Sequence, residues 1–138
     1  MPDHHSTAGE QIEFETAAPS VSKISFEAFN LDSRVRRGVD ALGFEFCSPI
    51  QSQILPHTLP GNDAIGKAQT GTGKTAAFLI TIFNDLLSHP IDTERFLGEP
   101  RALIIAPTRE LVMQIAADAQ ELGRFTGLRT VTLIGGAD

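Results

Sequence analysis

Residues 68–75, with the sequence Ala-Gln-Thr-Gly-Thr-Gly-Lys-Thr, restrict the fold of this 138-residue chain more than any other segment. They lie between a short strand-like stretch and a helical stretch from Lys74 to Leu87 that is strongly periodic. Glycines at this spacing let backbone N–H groups turn inward toward anionic oxygens, and the following helix adds the positive end of its dipole. The pattern predicts a phosphate-binding loop, although the strict motif has glycine where this chain has Ala68.

The apolar spacing on either side of this loop predicts alternating helices and strands. In chain order we expect a short helix carrying Val35, Val39 and Leu42, a helix beginning at Ser48-Pro49, a strand at 63–68, a helix at 74–87, a strand at 102–106, a helix at 111–122 and a strand at 130–134. Such alternation predicts an α/β fold with a parallel sheet and flanking helices. Because ligands bind beyond the carboxyl ends of parallel strands, residues 68–75, 107–110 and 135–136 are expected to share one face.

Charge and composition limit which classes of protein this chain can belong to. Residues 1–22 contain four acidic residues and no Lys or Arg, so most of the net charge of −6 lies there, and we predict a disordered acidic tail. Residues 23–138 then form one nearly neutral domain. A single cysteine, Cys47, excludes an internal disulfide and is interpreted as a packed thiol. Neither a signal peptide nor an apolar run long enough for a membrane span is present in the sequence, so we expect a cytoplasmic protein without membrane contact.

Several motifs occur together in one order. They are Gly43-Phe44, Ser48-Pro49-Ile50-Gln51, residues 68–75, residues 107–111 (Pro-Thr-Arg-Glu-Leu) and Gly135-Gly136. In this combination residues 25–138 resemble the N-terminal part of a DEAD-box ATP-dependent RNA helicase, most closely the bacterial RhlB-type members. The resemblance implies a P-loop NTPase (RecA-like) fold that is incomplete at its C-terminus, with residues 23–138 forming part of the first RecA-like domain.

The resemblance also implies roles for individual residues, with ATP and Mg²⁺ as cofactors. Gln51 would hydrogen-bond the adenine edge and Phe26 would stack on the base, while Lys74 and Thr75 would be catalytic and Thr75 would bind the metal. The remaining nucleotide-binding residues would be Ala68, Gln69, Thr70, Gly71, Thr72 and Gly73. RNA would be held through its backbone, without base specificity, by Pro107, Thr108, Arg109, Glu110, Gly135 and Gly136. A RhlB-type protein would in addition have an RNA-degradation complex as partner.

Residue chemistry alone leaves simpler interpretations open. Gln51 would lie on a solvated helix face, Phe26 in the core, and Thr108 would only cap a helix. The basic group Arg34, Arg36 and Arg37 is interpreted as a solvated face.

Three functions remain in competition. The resemblance implies that the complete protein couples ATP hydrolysis to local RNA unwinding. The chain stops at Asp138, before the Asp-Glu-Ala-Asp segment and the second lobe, so the 138 residues alone are expected to be inactive. A small P-loop kinase or ATPase would use Lys74 and Thr75 but would not need Gln51. A nucleotide-binding adaptor without catalysis is the third alternative.

Overall fold

The computed structural model describes residues 12–15, 23–91 and 98–136. They form an α/β fold in which a two-stranded parallel sheet is accompanied by four α-helices. The elements are β1 (Ile12–Glu15), a short 3₁₀ helix (Phe26–Ala28), α1 (Ser33–Ala41), α2 (Pro49–Thr58), β2 (Ala64–Lys67), α3 (Lys74–Ser88) and α4 (Arg109–Leu122). The predicted strand at 63–68 and all four predicted helices are confirmed, with boundaries that differ by at most a few residues.

Local capping explains where most of the helices begin. The Asp32 side chain accepts a hydrogen bond from the backbone N–H of Arg34 (2.9 Å) and thereby caps α1. The Arg34 guanidinium binds the same carboxylate, which holds the pKa of Asp32 below its ordinary value. Helix α2 has Pro49 at its first position, where a missing N–H costs nothing, and Thr108 caps α4.

The hydrophobic core lies among the 3₁₀ helix and helices α1 to α4. Its buried members are Phe26, Val35, Val39, Cys47, Leu55, Leu79, Ile80, Phe83, Ala119 and Leu122. Burial raises the pKa of the Cys47 thiol to about 11, so this cysteine is a packed thiol, as predicted. Gly38 is also buried, and a Cβ at its position would overlap the backbone carbonyl oxygen of Leu122, so glycine allows α1 to approach the end of α4.

The acidic N-terminal segment departs from the expectation of disorder at four residues. Ile12–Glu15 pair in parallel with Ala64–Lys67, the strand that leads into the glycine-rich loop. Glu13 forms an ion pair with Lys67, which raises the pKa of the lysine, and the Phe14 ring lies 4.9 Å from the His57 ring between centroids. Pairing satisfies the backbone groups along one edge of β2, which explains why so short a segment is ordered. The rest of residues 1–22 lies outside the described residues.

Two predicted strands are not formed within the ranges that the structure describes. Residues 102–106 and 130–134 have no strand hydrogen bonds among the residues that the structure describes. Their apolar side chains face solvent, with Leu103 78%, Ile105 84%, Val131 78% and Leu133 86% exposed. An apolar run becomes a buried parallel strand only when neighbouring strands satisfy its backbone and helices cover both faces. Neither condition holds for these two segments.

In the described ranges, no helix is both long and apolar enough to cross a membrane.

Candidate functional site

The loop between β2 and α3 has the backbone geometry that its glycines predicted. Gly71 and Gly73 have φ values of 82° and 86°, in the left-handed region that glycine adopts without strain. The Thr72 hydroxyl donates a hydrogen bond to the carbonyl oxygen of Gln69 (2.6 Å) and closes the turn. Lys74 is the first residue of α3 and is exposed. Residues 68–75 thus connect the carboxyl end of a strand to the amino end of a helix.

The amino end of α3 is suited to an anion. Its N-cap, Gly73, supplies no side chain, so no side chain of the described chain caps the first-turn N–H groups. These donors and the helix dipole favour negative charge at this point. The Lys74 ammonium adds a full positive charge, and the half-buried Thr75 hydroxyl lies in the same turn. The arrangement fits a phosphate group better than a neutral ligand.

Gln51 connects helix α2 to this loop. Its side chain is 4% exposed, its Nε2 donates to the carbonyl oxygen of Gly73 (3.1 Å), and its Oε1 accepts from the backbone N–H of Ser48 (2.9 Å). A Cβ at Gly73 would overlap the Gln51 amide, so glycine is required there for space as well as for its φ angle. An amide has two N–H donors and two acceptor lone pairs, so one of each on Gln51 makes no hydrogen bond within the described residues.

Ser48 also lies at this site, although the sequence assigned it only to a helix start and a motif and not to ligand binding. Its Oγ is buried and has no hydrogen-bond partner in the described part of the chain. The same Oγ lies 3.1 Å from the position that a Cβ on Gly73 would occupy. Its place three residues before Gln51, in a Ser-x-x-Gln pattern at a helix start, is the signal that indicates contact with Gln51.

Phe26 does not lie at the open site. Its ring is 0% exposed and belongs to the core, where it stacks on Phe44 with 6.4 Å between ring centroids. A base could stack on Phe26 only after neighbouring side chains had moved. The structure therefore brings Gln51 to the glycine-rich loop and leaves Phe26 in the core, the simpler interpretation of this residue.

A second group of predicted residues meets at the amino end of α4. Thr108 caps the helix by accepting a hydrogen bond from the Leu111 N–H (3.2 Å). The Arg109 guanidinium donates to the carbonyl oxygen of Gly135, and a Cβ at Gly136 would meet the same guanidinium. Residues 107–110 and 135–136 are all exposed, including Pro107 and Glu110, which make no side-chain hydrogen bond within the described ranges. Residues 26 positions apart in sequence thus share one surface.

The site offers few ligands for a metal ion. Among the described residues no group of three or more His, Cys, Asp or Glu side chains is placed to hold one. Thr75 supplies a single hydroxyl, which suits Mg²⁺ because this ion keeps several waters and is bound mainly through substrate phosphates. The residues present therefore fit a magnesium–nucleotide complex and do not fit a metal held by protein alone.

Comparison with known proteins agrees with these observations. Residues 48–138 match the family described as DEAD/DEAH box helicase. The chain is 58% identical to the ATP-dependent RNA helicase RhlB of Pseudomonas aeruginosa over 87% of its own length and 30% of the length of that protein.

Solved structures show the same likeness. The RNA helicase Prp28 from Chaetomium thermophilum, bound to ADP, superposes with a TM-score of 0.71 and 35% identity over 88% of this chain and 29% of that one. An S. cerevisiae Dbp5 variant bound to RNA and ADP–BeF₃ gives a TM-score of 0.64 and 36% identity over 75% of this chain and 25% of that one. The present chain thus spans less than a third of the relatives it matches.

Proposed function

Since the chain belongs to the DEAD/DEAH box helicase family, we propose that the complete protein is an ATP-dependent RNA helicase, which uses ATP binding and hydrolysis to open or remodel short RNA duplexes. The observation that carries the proposal is the Gln51 amide, buried against the phosphate-binding loop with one donor and one acceptor to spare. An adenine edge presents the matching acceptor and donor. The ADP bound to Prp28 supports an adenine nucleotide as the ligand.

Within this proposal each residue of the site has a separate role in binding the nucleotide. Backbone N–H groups of residues 68–75 hold the phosphates, Lys74 binds the β and γ phosphates, and Thr75 contributes its hydroxyl to Mg²⁺. When bound, the ion would neutralise charge that develops on the phosphates during hydrolysis. Gln51 reads the base and at the same time fixes Gly73, so base recognition and loop geometry share one side chain.

RNA is proposed to bind at the amino end of α4. Thr108, the helix dipole and the Arg109 guanidinium are donors suited to phosphate, and the exposed Gly135-Gly136 backbone permits close approach of sugar and phosphate. The RNA in the Dbp5 complex supports this partner. Action in the cytoplasm and in an RNA-degradation complex is part of the proposal, and it rests on the RhlB resemblance alone. That the 138 residues alone lack activity remains a prediction.

Release of a labelled strand from a short RNA duplex tests the proposal. We expect the complete protein to release the strand when both ATP and Mg²⁺ are supplied. No strand should be released when ATP is present but a chelator removes the Mg²⁺. Transfer of the γ-phosphate to an acceptor without strand release would favour the kinase alternative. Partner binding that survives Lys74→Ala, with neither reaction, would favour the adaptor.

Replacing Gln51 by alanine is expected to weaken ATP binding by about tenfold, the equivalent of one hydrogen bond of ordinary strength. The preference for ATP over GTP should fall as well, because the side chain that distinguishes the two bases is lost. Competition between the two nucleotides for a fluorescent analogue measures both effects. Gln53→Ala is the matched control, since Gln53 is exposed on the same helix. Unchanged selectivity in Gln51→Ala would remove this residue from the site.

A further inference from the structure

The three arginines that the sequence placed in one basic group on α1 have different surroundings. Arg34 binds the Asp32 carboxylate through Nε and Nη2, and Arg36 binds Asp40 (2.8 Å) and Glu27 (3.4 Å). Arg37 makes no ion pair or side-chain hydrogen bond within the residues that the structure describes; its Cζ lies 4.2 Å from the centroid of the Phe125 ring. Of the three arginines, only Arg37 therefore has guanidinium N–H donors that are not engaged by another described residue.

A second arginine contacts the same ring. The Cζ of Arg124 lies 4.8 Å from the Phe125 centroid, and this guanidinium too has no carboxylate or carbonyl partner in the described ranges. Stacking on a ring occupies the face of a guanidinium and leaves its N–H groups, which lie in the plane, free to donate. Phe125 thus holds two cations close together and orients them without neutralising either.

A third unpaired arginine completes the group. Arg124 and Arg129 line a shallow groove of about 340 Å³, together with the polar side chains of Gln120 and Thr130. Arg129 is exposed and likewise lacks a partner in the described chain. The other described arginines outside α1 are engaged, Arg101 with two backbone carbonyls and Arg109 with that of Gly135. We define the basic cluster as Arg37, Arg124 and Arg129.

The packing of two helices creates this cluster. Gly38 lets α1 lie against the backbone of Leu122, so Arg37, the neighbour of Gly38, reaches the ring of Phe125 just beyond the end of α4. Acidic residues are also present: Glu121 lies one turn before Arg124, and burial, followed by the charge of Glu121, raises the pKa of Asp118. Three free guanidiniums in a chain of net charge −6 are nevertheless a local excess of positive charge.

We propose that the basic cluster is a second contact site for the RNA backbone, additional to the residues at the amino end of α4; this inference rests on the proposed function. Free guanidinium edges match phosphate oxygens, and Gln120 and Thr130 add neutral donors at the groove. Two segments of the chain connect the cluster to the first RNA surface. Helix α4 runs from Arg109 toward Arg124 over about 20 Å, and residues 130–134 lead directly from Arg129 to Gly135.

Salt dependence of RNA binding by the complete protein tests this site. For a single strand, each phosphate contact contributes about 0.7 to the slope of log K against log salt. The double variant Arg124→Gln, Arg129→Gln should therefore lose about 1.4 from the slope and bind RNA about tenfold more weakly at moderate salt. The single variant Arg37→Gln should lose about 0.7 from the slope, half of the loss expected for the double variant. The matched control is Arg34→Gln, Arg36→Gln, which removes the same charge from guanidiniums already paired with carboxylates and should leave the slope unchanged.

The outcomes separate this inference from the proposed function. The basic cluster would be overturned as an RNA site by either of two results. The slope of log K against log salt could fall equally in the test pair (Arg124→Gln, Arg129→Gln) and in the control pair (Arg34→Gln, Arg36→Gln), or it could stay unchanged in the test pair. If binding then still fell in Arg109→Gln, the proposed RNA surface would stand. A wild-type protein that binds no RNA would overturn both. Binding of polyglutamate that the test pair alone abolishes, with RNA binding intact, would assign the cluster to an acidic protein partner instead. Thermal unfolding of every variant shows whether the fold is kept.

Discussion

Replacing Lys74 by alanine in the complete protein is expected to reduce ATP turnover by at least about a hundredfold, since a charge aimed at the reacting phosphates is lost. The fold should survive. Lys74 is exposed at the start of α3, no ion pair holds its side chain within the described residues, and alanine is a good helix former. Steady-state hydrolysis with RNA present measures the loss, and circular dichroism shows that the helices remain.

Lys67→Ala is the matched control for this prediction. Lys67 lies at the end of β2, one residue before the loop, and pairs with Glu13. Removing its charge should leave hydrolysis within a few-fold of the wild-type rate. RNA-stimulated turnover that persists in Lys74→Ala would contradict the assignment of residues 68–75 as the catalytic phosphate site.

Replacing Gly38 by alanine is expected to destabilise the protein by about 2 kcal/mol or more. The added methyl would overlap the carbonyl oxygen of Leu122, and overpacking of this kind costs about 1–3 kcal/mol or more. The obstacle is backbone, which no side-chain rotation can move, so α1 and α4 must separate. Alanine recovers up to about 1 kcal/mol through its better helix propensity, which does not offset a severe overlap.

Chemical denaturation measures this effect as a lower midpoint at unchanged slope. Ser33→Ala, on the exposed side of the same helix, is the control and should change the free energy of unfolding by about 0.5 kcal/mol at most. A midpoint for Gly38→Ala equal to or above that of the wild type would show that α1 and α4 are not packed as described. Because the same contact brings Arg37 to Phe125, Gly38→Ala should also weaken RNA binding by the basic cluster.

Helices could be predicted from the sequence because their signals are local. Apolar residues at spacings of three and four, with Pro49 and Thr108 at helix starts, defined α2 and α4 to within a few residues. The glycine-rich loop could be predicted equally well, since the left-handed φ angles of Gly71 and Gly73 are a local property that glycine adopts without strain. What a few neighbouring residues determine, the sequence predicts well.

Strands depend on partners that sequence position does not reveal. Residues 102–106 carry a strong strand pattern but have no strand partner in the described part of the chain, whereas Ile12–Glu15 pair with β2. The alternation of Ile12 and Phe14 with two glutamates was a signal for the latter, but the acidic composition of the segment indicated disorder. Hydrogen bonding between distant segments decided both cases.

Long-range packing likewise limits what could be predicted of the sites. The family resemblance indicated Gln51, yet its hydrogen bond to Gly73 joins residues 22 positions apart and is visible only in the structure. Phe26 shows the converse, because the resemblance assigned it a ligand while its burial places it in the core. The contact of Arg37 with Phe125 has no local signature at all.

RNA-stimulated ATP hydrolysis, measured for the complete protein beside the 138-residue chain, shows whether residues 68–75 and the surface at Arg109 act together. We expect RNA of unrelated sequences to raise ATP turnover in the complete protein, GTP not to substitute for ATP, and the 138 residues alone to show no turnover. ATP hydrolysis that is indifferent to RNA, or no hydrolysis in either protein, would contradict the claim that the loop at residues 68–75 and the surface at Arg109 serve one RNA-dependent ATPase.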